Sequence, residues 1–148
     1  MKKGFDFIGN AAVTLCHDGQ GKYLLGLRSD QCRDEHNRWD LIGSGGIEFG
    51  DTIEETVRKE VKEECGADVI HIEYLGFREV FREQSGTQTH WIQYDYLVQI
   101  DSQQVRITEP DKCLELRWCQ IDEFPEPLHS QFPVFLAKYK NKLTWIFT

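Results

Sequence analysis

Hydrophobic and polar positions along the chain form β-like stretches interrupted by one clear helical period. Phe7 to Cys16 is β-rich and ends at the turn cluster His17-Asp18-Gly19-Gln20-Gly21, after which Lys22 to Arg28 resumes a strand. These two stretches read as a hairpin. A polar segment, Ser29 to Arg38, leads to Trp39-Asp40-Leu41-Ile42 and then to the densest glycine cluster of the chain, Gly43-Ser44-Gly45-Gly46, with Gly50 close behind. There the period changes. Ile53, Val57 and Val61 recur every four residues and predict a helix over about Thr52 to Cys65, with Gly66 as its stop. Asp51 or Thr52 can cap it, and Thr52 and Glu55 have the capping-box spacing. Two further β stretches, about Val69 to Arg82 and His90 to Ile100, flank the turn-like Gln84-Ser85-Gly86-Thr87. A last strand is expected over Glu115 to Cys119, and Pro133 suits the first turn of a closing helix through about Lys140. No linker-like composition shift or internal repeat appears, so residues 1–148 read as one α+β domain.

Composition narrows the function classes. A chain of 148 residues can bury a core without a disulfide or structural metal. Cys16, Cys32, Cys65, Cys113 and Cys119 are scattered, with no C-x-x-C pair, and read as reduced packing residues. Met1 to Phe7 carries two lysines but lacks the apolar stretch of a secretory signal, and nothing approaches 18 consecutive apolar residues. A cytoplasmic protein with no membrane partner is the expectation. With 17 Lys+Arg against 25 Asp+Glu, the net charge is −8. A nucleic-acid polymer is therefore not an expected partner, because that affinity arises from a basic surface that releases counterions.

The acids of the predicted helix carry the chemistry. At about 100° per residue, Glu60, Glu63 and Glu64 flank and overlap the Ile53, Val57, Val61 stripe, while Lys59 and Lys62 lie on the far side. Carboxylates three and four residues apart repel, and desolvation toward a core adds to the cost. A positive charge should relieve them. Mg²⁺ or Mn²⁺ fits best, since hard divalent cations prefer carboxylate oxygen and no His or Cys cluster offers a softer site. The glycine cluster just before the helix can bring backbone close to a ligand.

The segment Gly45-Gly46-Ile47-Glu48-Phe49-Gly50-Asp51-Thr52-Ile53-Glu54-Glu55-Thr56-Val57-Arg58-Lys59-Glu60-Val61-Lys62-Glu63-Glu64-Cys65-Gly66-Ala67 resembles the Nudix box, G-x5-E-x7-R-E-U-x-E-E-x-G-U, where U is a bulky aliphatic residue. Gly45, Glu60, Val61, Glu63, Glu64 and Gly66 match at their spacings, whereas Asp51 stands for Glu, Lys59 for Arg and Ala67 for the final aliphatic. The resemblance implies a Nudix-type α/β/α sandwich with a central mixed sheet, and hydrolysis of a nucleoside diphosphate linked to another group. It also implies that Glu60 and Glu64 are the principal metal ligands, with Glu63 a further ligand directly or through water and the Gly45 carbonyl completing the shell. Glu60 is the first choice of base. Glu115 resembles a loop glutamate that some members use as base or extra ligand. Lys59 stands where the family's arginine braces a catalytic glutamate, and lysine supplies the charge without the planar fork, so a weaker brace is expected.

Trp39, Phe81 and Trp91 are candidates to stack on a base, and Arg28, Arg33 and Arg38 to meet phosphates, although a single aromatic is more often core. The segments His90 to Ile92, Glu109 to Lys112 and Trp118 to Pro125 are similar to the nucleoside-triphosphate-cleaving branch of the family. The expected function is thus Mg²⁺-dependent pyrophosphohydrolysis of a nucleoside triphosphate or a related nucleoside diphosphate derivative. An ADP-ribose or nucleotide-sugar hydrolase is the alternative, and a binding module with weakened catalysis, motivated by Lys59 and Asp51, a third. Similar proteins are commonly homodimers, but no residue here demands one. Between Glu48 and Glu64 seven acids face three bases, so half of the net charge lies in the motif. The bulk acidity reads as a metal site, and an anionic substrate is what its cation would recruit.

Overall fold

A computed structural model describes residues 1–145, with side chains through Leu143. Its strands are β1 (Gly9–His17), β2 (Tyr23–Arg28), β3 (Trp39–Leu41), β4 (Gly45–Gly46), β5 (Val69–Gln84), β6 (Thr87–Ile100) and β7 (Cys113–Cys119), and its helices are α1 (Ile53–Cys65) and α2 (Phe132–Trp145). The strands form one sheet of order β3-β2-β1-β6-β5, with β4 paired to β1 and β7 to β2. β1 runs parallel to β6 and the other strand pairings are antiparallel, so the sheet is mixed.

Alternation along the strands sorts the apolar side chains onto two faces. Val13, Leu15, Tyr23, Leu25 and Leu97 pack with Phe132, Phe135, Tyr139 and Leu143 of α2. Ala12, Cys16, Leu24, Val98 and Ile100 pack with Val57, Val61 and Cys65 of α1. The result is the α/β/α sandwich. α1 begins where its cap sits: Thr52 Oγ1 accepts the Glu55 N–H at 3.1 Å, and Thr52, not Asp51, is the N-cap. It ends where the Gly66 N–H meets the Lys62 carbonyl at 3.0 Å. The β5–β6 hairpin closes through Ser85 and Gly86, whose φ angles of 52° and 79° suit a two-residue type I′ turn.

Three boundaries differ from the sequence pattern. β1 and β2 form a hairpin only beside their turn, at Cys16↔Leu24 and His17↔Tyr23, and then part to admit β4 against Ala11 and Ala12. β7 starts at Cys113 because pairing with β2 continues past an irregularity at Leu27/Arg28. α2 runs from Phe132 to Trp145, since Tyr139 and Leu143 prolong the stripe of Phe132 and Phe135. The five cysteines are free thiols; Cys16, Cys65 and Cys119 are buried, and burial raises the pKa of each. Among the described residues no helix is long and apolar enough to cross a membrane.

A buried ionic knot joins the edge strand to α2. Asp95 on β6 is fully buried and accepts from Arg78 Nε at 2.7 Å, Arg78 Nη2 at 2.9 Å and the Tyr139 hydroxyl at 2.6 Å. Removing one partner of such a pair strands the other's charge in the interior. Asp95→Ala is expected to lower unfolding free energy by about 3–5 kcal/mol, read as a lower urea midpoint with an unchanged slope.

Candidate active site

Where β1 and β2 part, the loop from Ile42 to Gly46 fills the opening. Thr14 on β1 donates its hydroxyl to the Ile42 carbonyl at 2.5 Å, and its N–H donates to Ser44 Oγ at 3.3 Å. Gly43 has φ +95°, and a Cβ there would lie 2.4 Å from Thr14 Oγ1 and 2.6 Å from Val61 Cγ2. Only glycine suits that place. Its N–H, at 2.8 Å, and that of Ser44, at 3.1 Å, both donate to Glu64 Oε2. The helix and the loop are thus joined through one carboxylate.

Burial pushes the Glu64 carboxyl up to about 8; the Gly43 N–H offsets part of this, while the charges of Glu60, Asp40 and Glu109 add to it. Glu60 is raised too, by burial first and then by Glu63, with Glu109 and Glu48 adding and Lys59 opposing. Gly45 lies directly under Glu60, since a Cβ on Gly45 would come within 2.4 Å of the Glu60 carboxyl carbon. Glu63 is exposed on the same turn of α1.

Glu109 joins this field because its loop is tacked onto the end of α1. The Arg106 N–H donates to the Cys65 carbonyl at 3.0 Å, and the Thr108 hydroxyl donates to the Glu63 carbonyl. Helix-end carbonyls need such donors, and this loop supplies them. The next residue is Glu109.

Among the described residues no three acidic, His or Cys side chains already converge as a ligand shell. The donor set nevertheless fits a hard divalent cation. Glu60 and Glu64 are proton-favouring carboxylates within one another's field, and a side-chain-free backbone lies against Glu60, where any Cβ would fill the cradle.

The other residues singled out in the sequence fall in different places. Glu115 lies on the α2 face, paired with Leu27, and forks with Arg117 at 2.9 Å. Glu115 is not among the charges that shift Glu60 or Glu64, whereas the charge of Glu109 is. Lys59 reaches Glu48 at 3.6 Å, so its partner is an acid of the preceding loop rather than Glu60, Glu63 or Glu64. Trp39 is 5% exposed in the core beneath the Arg117 guanidinium, which leaves no free face for a base. Arg28 is clamped to Asp34 and Asp40, and Arg38 Nη1 donates to the Leu128 carbonyl at 3.0 Å; both hold loops in place. Phe81, 58% exposed, stacks on His90 at 4.2 Å. Alternation sets it on the face of β5 opposite Val80 and Arg82.

Arg33 and Trp91 do meet, across a cavity of about 730 Å³. Ser44, Gly45 and Gly46 form one end of it, and Trp91, Gln93, Val80 and Arg82 part of its floor and far wall. Its volume suits a small organic ligand. Arg82, Gln93, Thr89 and Lys2 line it without having been singled out in the sequence. Only the pairing of β1, β6 and β5 collects them, although alternation of Thr89, Trp91 and Gln93 along β6 places those three on one face.

A sandwich with a glycine loop set against a carboxylate-bearing helix is the arrangement of Nudix proteins. Residues 8–139 match the family model for the NUDIX domain, and the chain belongs to that family. It is similar to the NAD-capped RNA hydrolase NudC of Photorhabdus laumondii subsp. laumondii, 25% identical over 127 residues that cover 76% of this chain and 47% of that protein. The chain therefore spans about half the length of that relative. A MutT Nudix hydrolase structure from Burkholderia pseudomallei superposes with a TM-score of 0.78 at 24% identity, covering 90% of this chain and 98% of that one. The MutT protein of Methanosarcina mazei Go1 gives 0.66 at 23% identity, over 91% and 94%. These structural likenesses establish the fold.

Two outcomes follow for the metal-free protein. An acid whose folded pKa exceeds its unfolded value contributes stability that is complete below the unfolded pKa and is lost as pH rises through the folded one. Thermal stability should therefore fall between pH 5 and about 8, and Glu64→Gln should flatten that slope in differential scanning calorimetry. Gly43→Ala, which meets Thr14 and Val61, should lower the melting temperature at every pH in the same measurement.

Proposed function

We propose that the protein is a Mg²⁺- or Mn²⁺-dependent pyrophosphohydrolase that cleaves the diphosphate of a nucleoside triphosphate or related nucleoside diphosphate derivative. The observation that carries this reading is continuity: the cavity ends on Gly45 and Gly46, and Gly45 lies under Glu60. A nucleoside in the cavity would bring its diphosphate to the carboxylates. Glu60, Glu63, Glu64 and the Gly45 carbonyl would hold the metal, with Glu109 beside them. The metal, when bound, neutralises diphosphate charge and makes water a competent nucleophile at neutral pH.

The chain's own groups divide the remaining work. Gly43 and Ser44 N–H groups fix Glu64 by one oxygen, leaving its other oxygen for the site. Glu60, whose proton affinity is raised by burial first and then by Glu63, is the candidate proton acceptor. Arg33 and Arg82 lie on either side of Asp34, at 3.6 and 3.8 Å, and bring excess positive charge to the cavity wall. Trp91 offers a flat apolar wall to a base, held against the backbone of Gly4 and Gly9. Five free thiols suit a reducing cytoplasm.

A second reading, hydrolysis of an ADP-ribose-like or dinucleotide diphosphate, is favoured by the likeness to a NAD-capped RNA hydrolase. Products separate the two: monophosphate plus pyrophosphate from a triphosphate, and two phosphomonoesters from the other class. In such an assay chelation of divalent cations should abolish turnover. Glu60→Gln should lower kcat by about 10²–10⁴-fold, the range for a positioned proton-transfer group. Glu109→Gln should cost more activity than Glu115→Gln, and the reverse order would overturn the reassignment of the loop glutamate.

A further inference from the structure

Four residues stand in one row across the sheet. Gly46 on β4 pairs with Ala11 on β1, Ala11 with Gln93 on β6, and Gln93 with Arg78 on β5. Strands lie about 4.8 Å apart and directly paired residues project to one face. Gln93 therefore stands about 10 Å from Gly46, with only the Ala11 methyl group between them. Gly46, Ala11 and Gln93 all line the cavity. A nucleotide whose diphosphate lies at the glycine end would place its base at Gln93.

The Gln93 amide is not free to choose which end it shows. Arg78, 7% exposed, is forked onto buried Asp95, and its Nη2 also donates to Gln93 Oε1 at 2.9 Å. Asp95 is held in turn by the Tyr139 hydroxyl, so the guanidinium cannot swing away without stranding a buried charge. A flipped amide would set N–H groups against the guanidinium N–H. The carbonyl end therefore faces Arg78 and the amide nitrogen is left for the cavity. No acceptor among the described residues meets it.

We propose that Gln93 is a base-selecting residue, held in orientation by Arg78 as its positioning residue, and that its amide N–H₂ donates to a ring carbonyl of the nucleobase. The substrate class is then a nucleotide with a 6-oxopurine or 4-oxopyrimidine base, such as guanine, hypoxanthine, uracil or thymine. Adenine and cytosine present an exocyclic amine at those positions, which sets donor against donor. This rests on the cavity being the nucleotide site.

The test compares nucleotides by binding and by turnover. Calorimetric titration with GMP and UMP against AMP and CMP, and kcat/KM for GTP and UTP against ATP and CTP, give the keto-to-amino ratio in each. The wild-type ratio should be about 10-fold or more in both, the size of one buried hydrogen bond and the penalty of leaving it unmade. Gln93→Met should bring the ratio toward one. Gln93→Glu, which keeps the contact with Arg78 but turns an acceptor to the base, should invert it. Arg78→Lys should also lower the ratio, whereas a merely structural loss would reduce all four nucleotides in proportion. Near-UV circular dichroism identifies folded variants, and Gln93→Met and Gln93→Glu serve as substitutes for one another. A wild-type binding ratio near one, or a ratio unmoved in both Gln93 variants, overturns the inference even if hydrolysis is robust. Base-selective binding by a protein that hydrolyses none of the triphosphates leaves Gln93's role standing and overturns the hydrolytic reading. Absence of binding by any nucleotide overturns both.

Discussion

A carboxylate drawn out of water must find donors or keep its proton, and Glu64 does some of each. One oxygen accepts the N–H groups of Gly43 and Ser44, and burial raises the pKa. That contact sets the distance between α1 and the glycine loop. Gly43 can make it only because its backbone takes φ +95° against Thr14 and Val61, where any side chain would collide. Thr14 belongs to β1, so the loop is anchored to the sheet at the place where β1 and β2 separate. Gly45 then comes to rest under Glu60. The acidic site exists because two interior strands part, a glycine loop fills the opening, and a half-buried carboxylate fastens the helix to that loop.

The charge distribution follows from the same geometry. Glu60 lies over Gly45 at one end of the cavity, and burial together with neighbouring carboxylates raises the proton affinity of Glu60 and Glu64. Arg33 and Arg82 flank Asp34 along the wall farther out. A diphosphate can satisfy both ends through a cation at the first and direct contact at the second. Beyond them the ionic knot of Arg78, Asp95 and Tyr139 serves two purposes. It ties β5, β6 and α2 together, and it orients the Gln93 amide toward the cavity. A buried ion pair is poor evidence for stability by itself, and the contact with Gln93 gives this one a second consequence.

Much of α1 could be read locally. Its apolar spacing, Thr52 cap and Gly66 stop all act within a few residues, and so do the β5–β6 turn and the run of Glu60, Glu63 and Glu64. The expected hairpin of β1 and β2 was right only near its turn, because β4, far along the chain, competes for the β1 edge at Ala11 and Ala12. Trp39 and Arg28 looked available for a nucleotide, yet one is core and the other clamped between Asp34 and Asp40. Glu115 and Glu109 could not be ranked from spacing alone. Strand pairing turns Glu115 to the α2 face, whereas Arg106 and Thr108 tack the loop that precedes Glu109 to the end of α1, and the charge of Glu109 is felt by Glu60 and Glu64.

By itself the sequence determined the α+β class, the helix with its three glutamates and the glycines before it, since each depends on periodicity and backbone freedom over short distances, whereas the sandwich was implied only through the motif's resemblance to the Nudix box. The tertiary structure alone decided which arginines line the cavity, which face of the sheet Glu115 takes and which other residues line the cavity. Those outcomes depend on register: a row such as Gly46, Ala11, Gln93 and Arg78 is assembled from four strands, and a one-residue slip would turn each member to the other face.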